Sequence, residues 1–344
     1  MHELITHLQS GGHLTAGQID RAVAHLTAAE WEDEVKAELL RALRDKGETA
    51  DEIAAFARAL LARAVDPGLD LTGLPGPVID VCGTGGDRME LFNISTTSMF
   101  VLAAGGAVVV KHGNRAITSK CGGADVLEHL GVKINLAPAD LRRVVESVGL
   151  GFIFAPVYHP AFKAIAPVRK LLAARGVPTV FNLLGPLLNP ARPPHQLVGI
   201  FDRTLLPKYA ETLRVLGRTR AWAVHGDGTD ELTNTGPSDV QEVTPAGVRP
   251  FTIDPAALGL APATADQLRG GDCAENARIL IGILDGTIRG PQREIVELNA
   301  AAGFVITGLA PDLPAGLAHA RAQIDRGAAL AKLRALRTLA TAMG

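Results

Sequence analysis

The first 65 residues carry their apolar side chains at helical spacing throughout. Ile19, Ala22, Val23 and Leu26 form one face, and Trp31, Val35, Leu39 and Ala42 form a second. Ile53, Phe56, Ala57, Leu60, Leu61 and Ala64 form a third, the strongest of the set. Thr15 with Gln18, and Thr49 with Glu52, have the spacing of capping boxes, so helices are expected to open there. Asp66-Pro67-Gly68 stops the last helix, and Leu69 to Pro77 adds further punctuating residues. This stretch reads as a linker out of a small helical domain, with no strand before Val78.

From Val78 the pattern changes to short apolar runs alternating with helical segments. Val78 to Val81 reads as a strand, followed by the glycine-rich turn Gly83-Thr84-Gly85-Gly86-Asp87. Asn93-Ile94-Ser95-Thr96 opens a helix through Leu102, and Val108-Val109-Val110 is a buried strand. Helices follow at 125–130 and 140–148, with strands at 152–154, 197–201 and 222–224. The alternation predicts an α/β fold: a mostly parallel central sheet flanked by helices. Between Tyr158 and Pro190 the text is helical again, with Phe162, Ile165, Val168, Leu171 and Leu172 on one face. This insert leaves the sheet and returns, so it would pack on the N-terminal helices and make the all-helical domain discontinuous. The expected boundaries are 1–68 and 160–184 for the helical domain, and 75–156 and 190–344 for the α/β domain. Hinges are expected near 69–74, 157–159 and 185–189. The tail from Asp272 reads as three helical segments.

Composition sharpens this mainly by exclusion. A chain of 344 residues with 47% hydrophobic and 20% charged content has ample material for a core. A net charge of −2 offers no basic field for nucleic acid or a membrane surface. Cys82, Cys121 and Cys273 are far apart, odd in number and without CxxC spacing, so neither a disulfide framework nor a zinc site is expected. A reducing cytoplasm fits that usage. No signal peptide is visible at Met1-His2-Glu3-Leu4, and the longest apolar run, Met99 to Val110, is too short to span a bilayer.

The candidate chemistry sits at strand ends. Gly83 to Asp87 allows backbone N–H groups to ring a phosphate, although it is neither a Walker A nor a dinucleotide pattern, and a plain tight turn reads equally well. Asn93 to Thr96 places an amide and hydroxyls at a helix N-terminus, which suits an anion and equally suits simple capping. After the strand at 108–110 come Lys111, His112, Gly113, Asn114, Arg115, Thr118 and Ser119, then Gly122-Gly123: an anion cradle by composition. Asp230-Glu231 follows another strand end, where adjacent carboxylates suit Mg²⁺ shared with substrate phosphates. His112, Asn114, His159 and Arg169 are candidates for an organic substrate, Arg169 through a bidentate carboxylate contact. No Ser-His-Asp or Cys-His arrangement is visible, and no obvious carboxylate general base lies within the glycine-rich motifs.

Taken together, these motifs are collinear with one family over about two-thirds of the chain. They are GTGGD at 83–87, NIST at 93–96, KHGNRA at 111–116, GGADVLE at 122–128, HPAFK at 159–163 and FNLLGPLLNP at 181–190. HGDGTDEL at 225–232, TNTGP at 233–237 and ENA at 275–277 complete the set. The chain resembles the anthranilate phosphoribosyltransferases, and more distantly the pyrimidine nucleoside phosphorylases of the same fold. A nucleic-acid-binding branch of that fold lacks the GTGGD turn, which is intact here.

The resemblance implies transfer of the phosphoribosyl group of phosphoribosyl pyrophosphate to the amine of anthranilate, in tryptophan biosynthesis. It also implies a homodimer paired through the helical domains, with no nucleic-acid or membrane partner. By position, Gly83, Gly86, Asp87, Asn93, Ile94, Ser95, Thr96, Lys111, His112, Gly113, Asn114, Arg115, Ser119 and Gly123 would hold phosphoribosyl pyrophosphate. Ser95, Asp230 and Glu231 would hold Mg²⁺. Gly83, His112, Asn114, His159, Arg169 and Gly185 would meet anthranilate. No general base is assigned, and His112 at most relays a proton late. Four positions depart from the family pattern: Leu91 stands where a hydroxyl is usual, Cys121 and Gly123 where serines are, and Leu188 where a threonine is. Altered affinity rather than lost activity is the expected consequence.

Overall fold

Four helices open the chain in the computed structural model, which describes residues 1–86, 89–116 and 120–343. They are α1 (His2–Gln9), α2 (Ala16–Thr27), α3 (Asp33–Lys46) and α4 (Ala50–Leu61). Both capping boxes form: Thr15 and Thr49 accept from the N–H groups of Gln18 and Glu52, whose side chains accept from the capping residues in return. Glu52 does more than cap. Its buried carboxylate also accepts from Leu14 N at 2.8 Å and from Lys46 Nζ at 2.7 Å, so one side chain ties α4 to the approach of α2 and the end of α3. The second expected face is shifted. Trp31 precedes α3 and packs edge-on against the His25 ring at 5.0 Å, while α3 buries Leu39, Leu40, Ala42 and Leu43.

The sheet has seven strands: β1 (Val78–Gly83), β2 (Val108–Gly113), β3 (Leu150–Phe154), β4 (His195–Gly199), β5 (Arg220–Gly226), β6 (Ser238–Thr244) and β7 (Gly247–Ile253). Their order is β3-β2-β1-β4-β5-β6-β7, the first five parallel and the last two added antiparallel. Helices α5 (Ile94–Ala104), α6 (Gly123–His129) and α7 (Pro138–Val148) fill the β1-to-β3 crossovers. The β2 strand is longer than its apolar run, because it pairs with β3 through Gly113 opposite Phe154. Lys111 and His112 are therefore strand residues rather than loop residues. The β6–β7 hairpin has no counterpart in the sequence reading; Pro250 lies in β7, an edge strand, where a missing N–H is tolerated.

After β3 the chain leaves through α8 (Ala155–Tyr158), α9 (Phe162–Ala174) and α10 (Phe181–Leu184). Ile165, Val168 and Leu172 of α9 are buried, and the helix packs on α2 and α3. The apolar cluster of these helices continues into one face of the sheet through Val198, Ala221 and Ala223. The opposite face, with Leu197, Trp222 and Val224, joins a second cluster. The segments crossing between helices and sheet are bonded to one another. Val65 N donates to Tyr158 O at 2.8 Å, and His159 Nε2 to Leu188 O at 2.8 Å.

Helix α11 (Leu206–Val215) joins β4 to β5. The tail contains four helices rather than three: α12 (Cys273–Leu284), α13 (Pro291–Thr307), α14 (Leu313–Asp325) and α15 (Ala328–Ala342). Gly327 at φ 72° makes the unexpected break between the last two. Among the described residues no helix is long and apolar enough to cross a membrane. The cysteine expectation is overturned: Cys121 and Cys273, 152 residues apart, form a disulfide with their Cα atoms 5.2 Å apart, and Cys82 alone stays free.

Candidate active site

The carboxyl ends of the parallel strands gather most of the expected residues on one edge of the sheet, where open α/β sheets bind ligands. Gly83 ends β1 opposite Gly199 of β4, and a Cβ on either would collide with Asp230. The two glycines thus admit the loop after β5 into the sheet edge. Gly85 follows at φ 68° and donates its N–H to Asp230 Oδ2 at 2.7 Å. Gly86, at φ 94°, is also in the region that side chains disfavour, which leaves a turn of exposed backbone. Asp230 and Glu231 are half-buried beside it. Asp87, Thr118 and Ser119 lie outside the described residues.

The second group forms where α5 meets β2. Lys111 is buried, and its Nζ donates to Ser95 Oγ at 3.1 Å and to Val81 O. A buried ammonium thus sits against the first turn of a helix, whose unpaired N–H groups carry positive charge toward the same space. Asn93 is the residue before α5, yet its side chain does not cap the helix. Its Nδ2 donates to Cys121 O and its Oδ1 accepts from Asn276 Nδ2, both at 3.0 Å. Ile94 presents no group to a ligand: its side chain is in the core and its N–H is bonded to Phe92 O. Thr96 is buried, and a Cβ on Gly123 would stand 2.9 Å from its Oγ1, so the glycine in place of the usual serine makes room for Thr96.

Two further expected residues follow in the loop after β2. Arg115 is committed to α6, donating to Asp125 Oδ1 at 3.0 Å and to Glu128 at 2.7 and 3.1 Å. Those carboxylates, not a phosphate, hold its guanidinium and raise its pKa above the usual arginine value. Asn114 is exposed, with Oδ1 accepting from Arg115 N at 2.8 Å. Gly113 is pressed against the Phe152 ring, leaving no space for a side chain.

The third group is aromatic and cationic. The rings of His112 and His159 meet edge-on at 5.2 Å, His159 meets Phe162 at 5.6 Å, and Phe162 meets Phe181 at 5.7 Å. The Arg169 guanidinium lies over Phe181 at 5.8 Å, with no ion pair among the described residues. Burial lowers its pKa. Burial, then the neighbouring His159, push His112 down to about 3, so its ring is neutral at pH 7. Its Nε2 is buried and has no hydrogen-bond partner among the described residues. His159 is fixed with Nε2–H on Leu188 O, and burial lowers its pKa too. Gly185 is exposed, with open space where a side chain would stand.

Two residues that sequence reasoning missed hold this arrangement together. Asp80, buried in β1, accepts from His112 N at 3.2 Å and from Asn189 Nδ2 at 3.0 Å. Asn189 also donates to Val110 O at 2.8 Å. Burial raises the pKa of Asp80, opposed chiefly by the Lys111 charge. The signal was available in the lone acid of Val78-Ile79-Asp80-Val81.

Residues 75–330 match the family described as glycosyl transferase family, a/b domain, and 2–64 match its helical bundle domain. The anthranilate phosphoribosyltransferase of Moorella thermoacetica is 44% identical over 333 residues, covering 96% of each chain. The chain belongs to the anthranilate phosphoribosyltransferases. The Thermus thermophilus member superposes with a TM-score of 0.91 at 40% identity, over 98% of this chain and 99% of that one. The Saccharomyces cerevisiae member, solved with PRPP and Mg, superposes at 0.87 with 26% identity over 99% and 98%. Among the described residues no cluster of three or more His, Cys, Asp or Glu side chains could cage a metal. Asp230, oriented by Gly85 N–H, and adjacent Glu231 are nevertheless hard oxygen donors at the edge of the glycine turn. That donor set suits Mg²⁺, which commonly takes one or two carboxylates and completes its shell with phosphate and water.

Proposed function

We propose that this chain joins the ribosyl carbon of phosphoribosyl pyrophosphate to the amine of anthranilate and releases pyrophosphate. The observation that carries the reading is the pairing of two unlike sites on one sheet edge. One is an anion site of glycine turn, helix N-terminus and buried Lys111; the other is a ring-lined site with a half-buried Arg169 that has no ion pair among the described residues. The first suits a pyrophosphate and the second an aromatic carboxylate.

The turn amides at Gly83 to Gly86, the first turn of α5 and Lys111 bind the leaving pyrophosphate, and their electrostatic field favours charge building there as the ribosyl ring gains oxocarbenium character. Asp230 and Glu231, with Ser95, would hold Mg²⁺, which when bound neutralises part of the pyrophosphate charge. Arg169 takes the anthranilate carboxylate in a fork and aligns the ring among His159, Phe162 and Phe181. The aromatic amine is a free base at neutral pH and needs no strong base to attack. His112 at most relays a proton late: its Nε2 has no hydrogen-bond partner among the described residues, but burial makes the ring a weak base. Pairing into a homodimer through the helical domain, and action in the cytoplasm, carry over from the family resemblance.

The test follows anthranilate fluorescence after adding phosphoribosyl pyrophosphate to the purified chain, with and without Mg²⁺. Decay that requires both enzyme and Mg²⁺ supports the reading; a flat trace with both present sinks it.

A further inference from the structure

Cys121, where the family resemblance leads one to expect a serine, pairs with Cys273. Cys121 closes the segment that follows Lys111, and its carbonyl accepts from Asn93, the residue that precedes α5. Cys273 is the first residue of α12. The same three pieces are already joined by a relay of amides: Asn93 Oδ1 accepts from Asn276 Nδ2, and Asn276 Oδ1 accepts from Gly271 N at 2.8 Å. The disulfide runs parallel to that relay and converts a hydrogen-bonded junction into a covalent one. The junction backs directly onto the Lys111–Ser95 anion site.

The bond is also reachable. Cys273 is half-buried at the start of α12, and Cys121, itself buried, lines a small crevice with Leu91, Lys120, Gly270 and Asn276. The Cα separation of 5.2 Å lies inside the range a disulfide spans, so neither oxidation nor reduction requires the backbone to move far.

We infer that Cys121 and Cys273 form a reversible redox site that sets the affinity of the anion site: the disulfide holds it preorganised, and reduction loosens it. The inference rests on the reading of residues 83–123 as the phosphoribosyl pyrophosphate site. In the reducing direction a thiolate of a low-molecular-weight thiol attacks Cys273 Sγ, and Cys121 leaves as a thiolate and takes a proton. A second thiol then attacks the mixed disulfide, releasing Cys273 and one molecule of small disulfide. Two electrons pass from the two small thiols to the protein, and oxidation by the same small disulfide is the reverse.

The experiment equilibrates the full chain with oxidised or reduced glutathione, counts thiols by alkylation under denaturing conditions and mass spectrometry, and measures KM for both substrates. The oxidised chain should show one alkylated cysteine, Cys82, and the reduced chain three. Reduction should raise KM for phosphoribosyl pyrophosphate about three- to tenfold, in the range of ordering one or two side chains, and leave KM for anthranilate unchanged. Cys273→Ser and Cys121→Ser should both sit at the reduced value and ignore the redox buffer. Three alkylated cysteines after oxidation overturn the proposal, as does a phosphoribosyl pyrophosphate KM identical in both states. Absence of turnover in both states overturns the functional reading and this proposal with it.

Discussion

A half-buried guanidinium incurs a desolvation cost that a carboxylate normally offsets, and Arg169 has no ion-pair partner among the described residues. The missing partner defines its expected role. Arg169→Ala should raise KM for anthranilate about 10- to 100-fold, the loss of a charge-assisted fork. The phosphoribosyl pyrophosphate KM should stay within about twofold, because the anion site is built from other residues. Arg169→Lys should recover only part, since an ammonium cannot reproduce the planar fork. Steady-state kinetics with each substrate varied decides it, and equal effects on both KM values would remove Arg169 from the acceptor site. Sequence offered Arg169 for an organic carboxylate but could not separate Arg115 from Lys111, two cations after the same strand. What separates them is the following helix: Asp125 and Glu128 stand three residues apart on α6 and take Arg115. Lys111 is turned inward by the strand pairing.

At the scale of elements, what was legible was local. The two capping boxes, the apolar faces of α2 and α4, and the β1 and β2 runs need only a few neighbouring residues to declare themselves. The β6–β7 hairpin did not, because its outer positions are polar and Pro250 argues against a strand until the edge position is known. The extension of β2 through His112 was equally hidden, since it depends on pairing with β3 rather than on its own residues. Glu52 shows where a local reading stops short. Thr49→Ala should cost about 1 kcal/mol, an ordinary lost cap. Glu52→Gln should cost more, about 3 kcal/mol, because Lys46, nearly as buried as Glu52 itself, is left without its counter-ion. Urea unfolding of the two variants measures the difference. Equal losses would mean that Glu52 is a capping residue and nothing else.

At the scale of the whole molecule, the long-range ties were beyond the sequence: the bonded crossings at Val65, Tyr158, His159 and Leu188, and the Cys121–Cys273 link, join residues far apart in the chain. Three imidazoles, two buried and one half-buried, sit along this junction and on the sheet beside it. His112, His159 and His195 all have pKa values lowered first by burial. In the unfolded chain each takes a proton near 6.5, while the folded chain resists it. Protonation therefore favours the unfolded state, and the stability these residues contribute above pH 6.5 is lost as pH falls toward their folded values. Asp80 works in the opposite direction, since its raised pKa makes protonation favour the folded chain. A single substitution isolates one contribution from that sum. Between pH 7 and pH 5 His112, with a folded value of about 3, should account for a loss on the order of 2 kcal/mol. His112→Gln removes the titration and keeps a neutral polar group in place. Whatever its stability at pH 7, the variant should gain about that 2 kcal/mol on the parent chain by pH 5, read from urea unfolding at both values. A difference between variant and parent that does not change with pH would show that His112 is not held neutral by the fold.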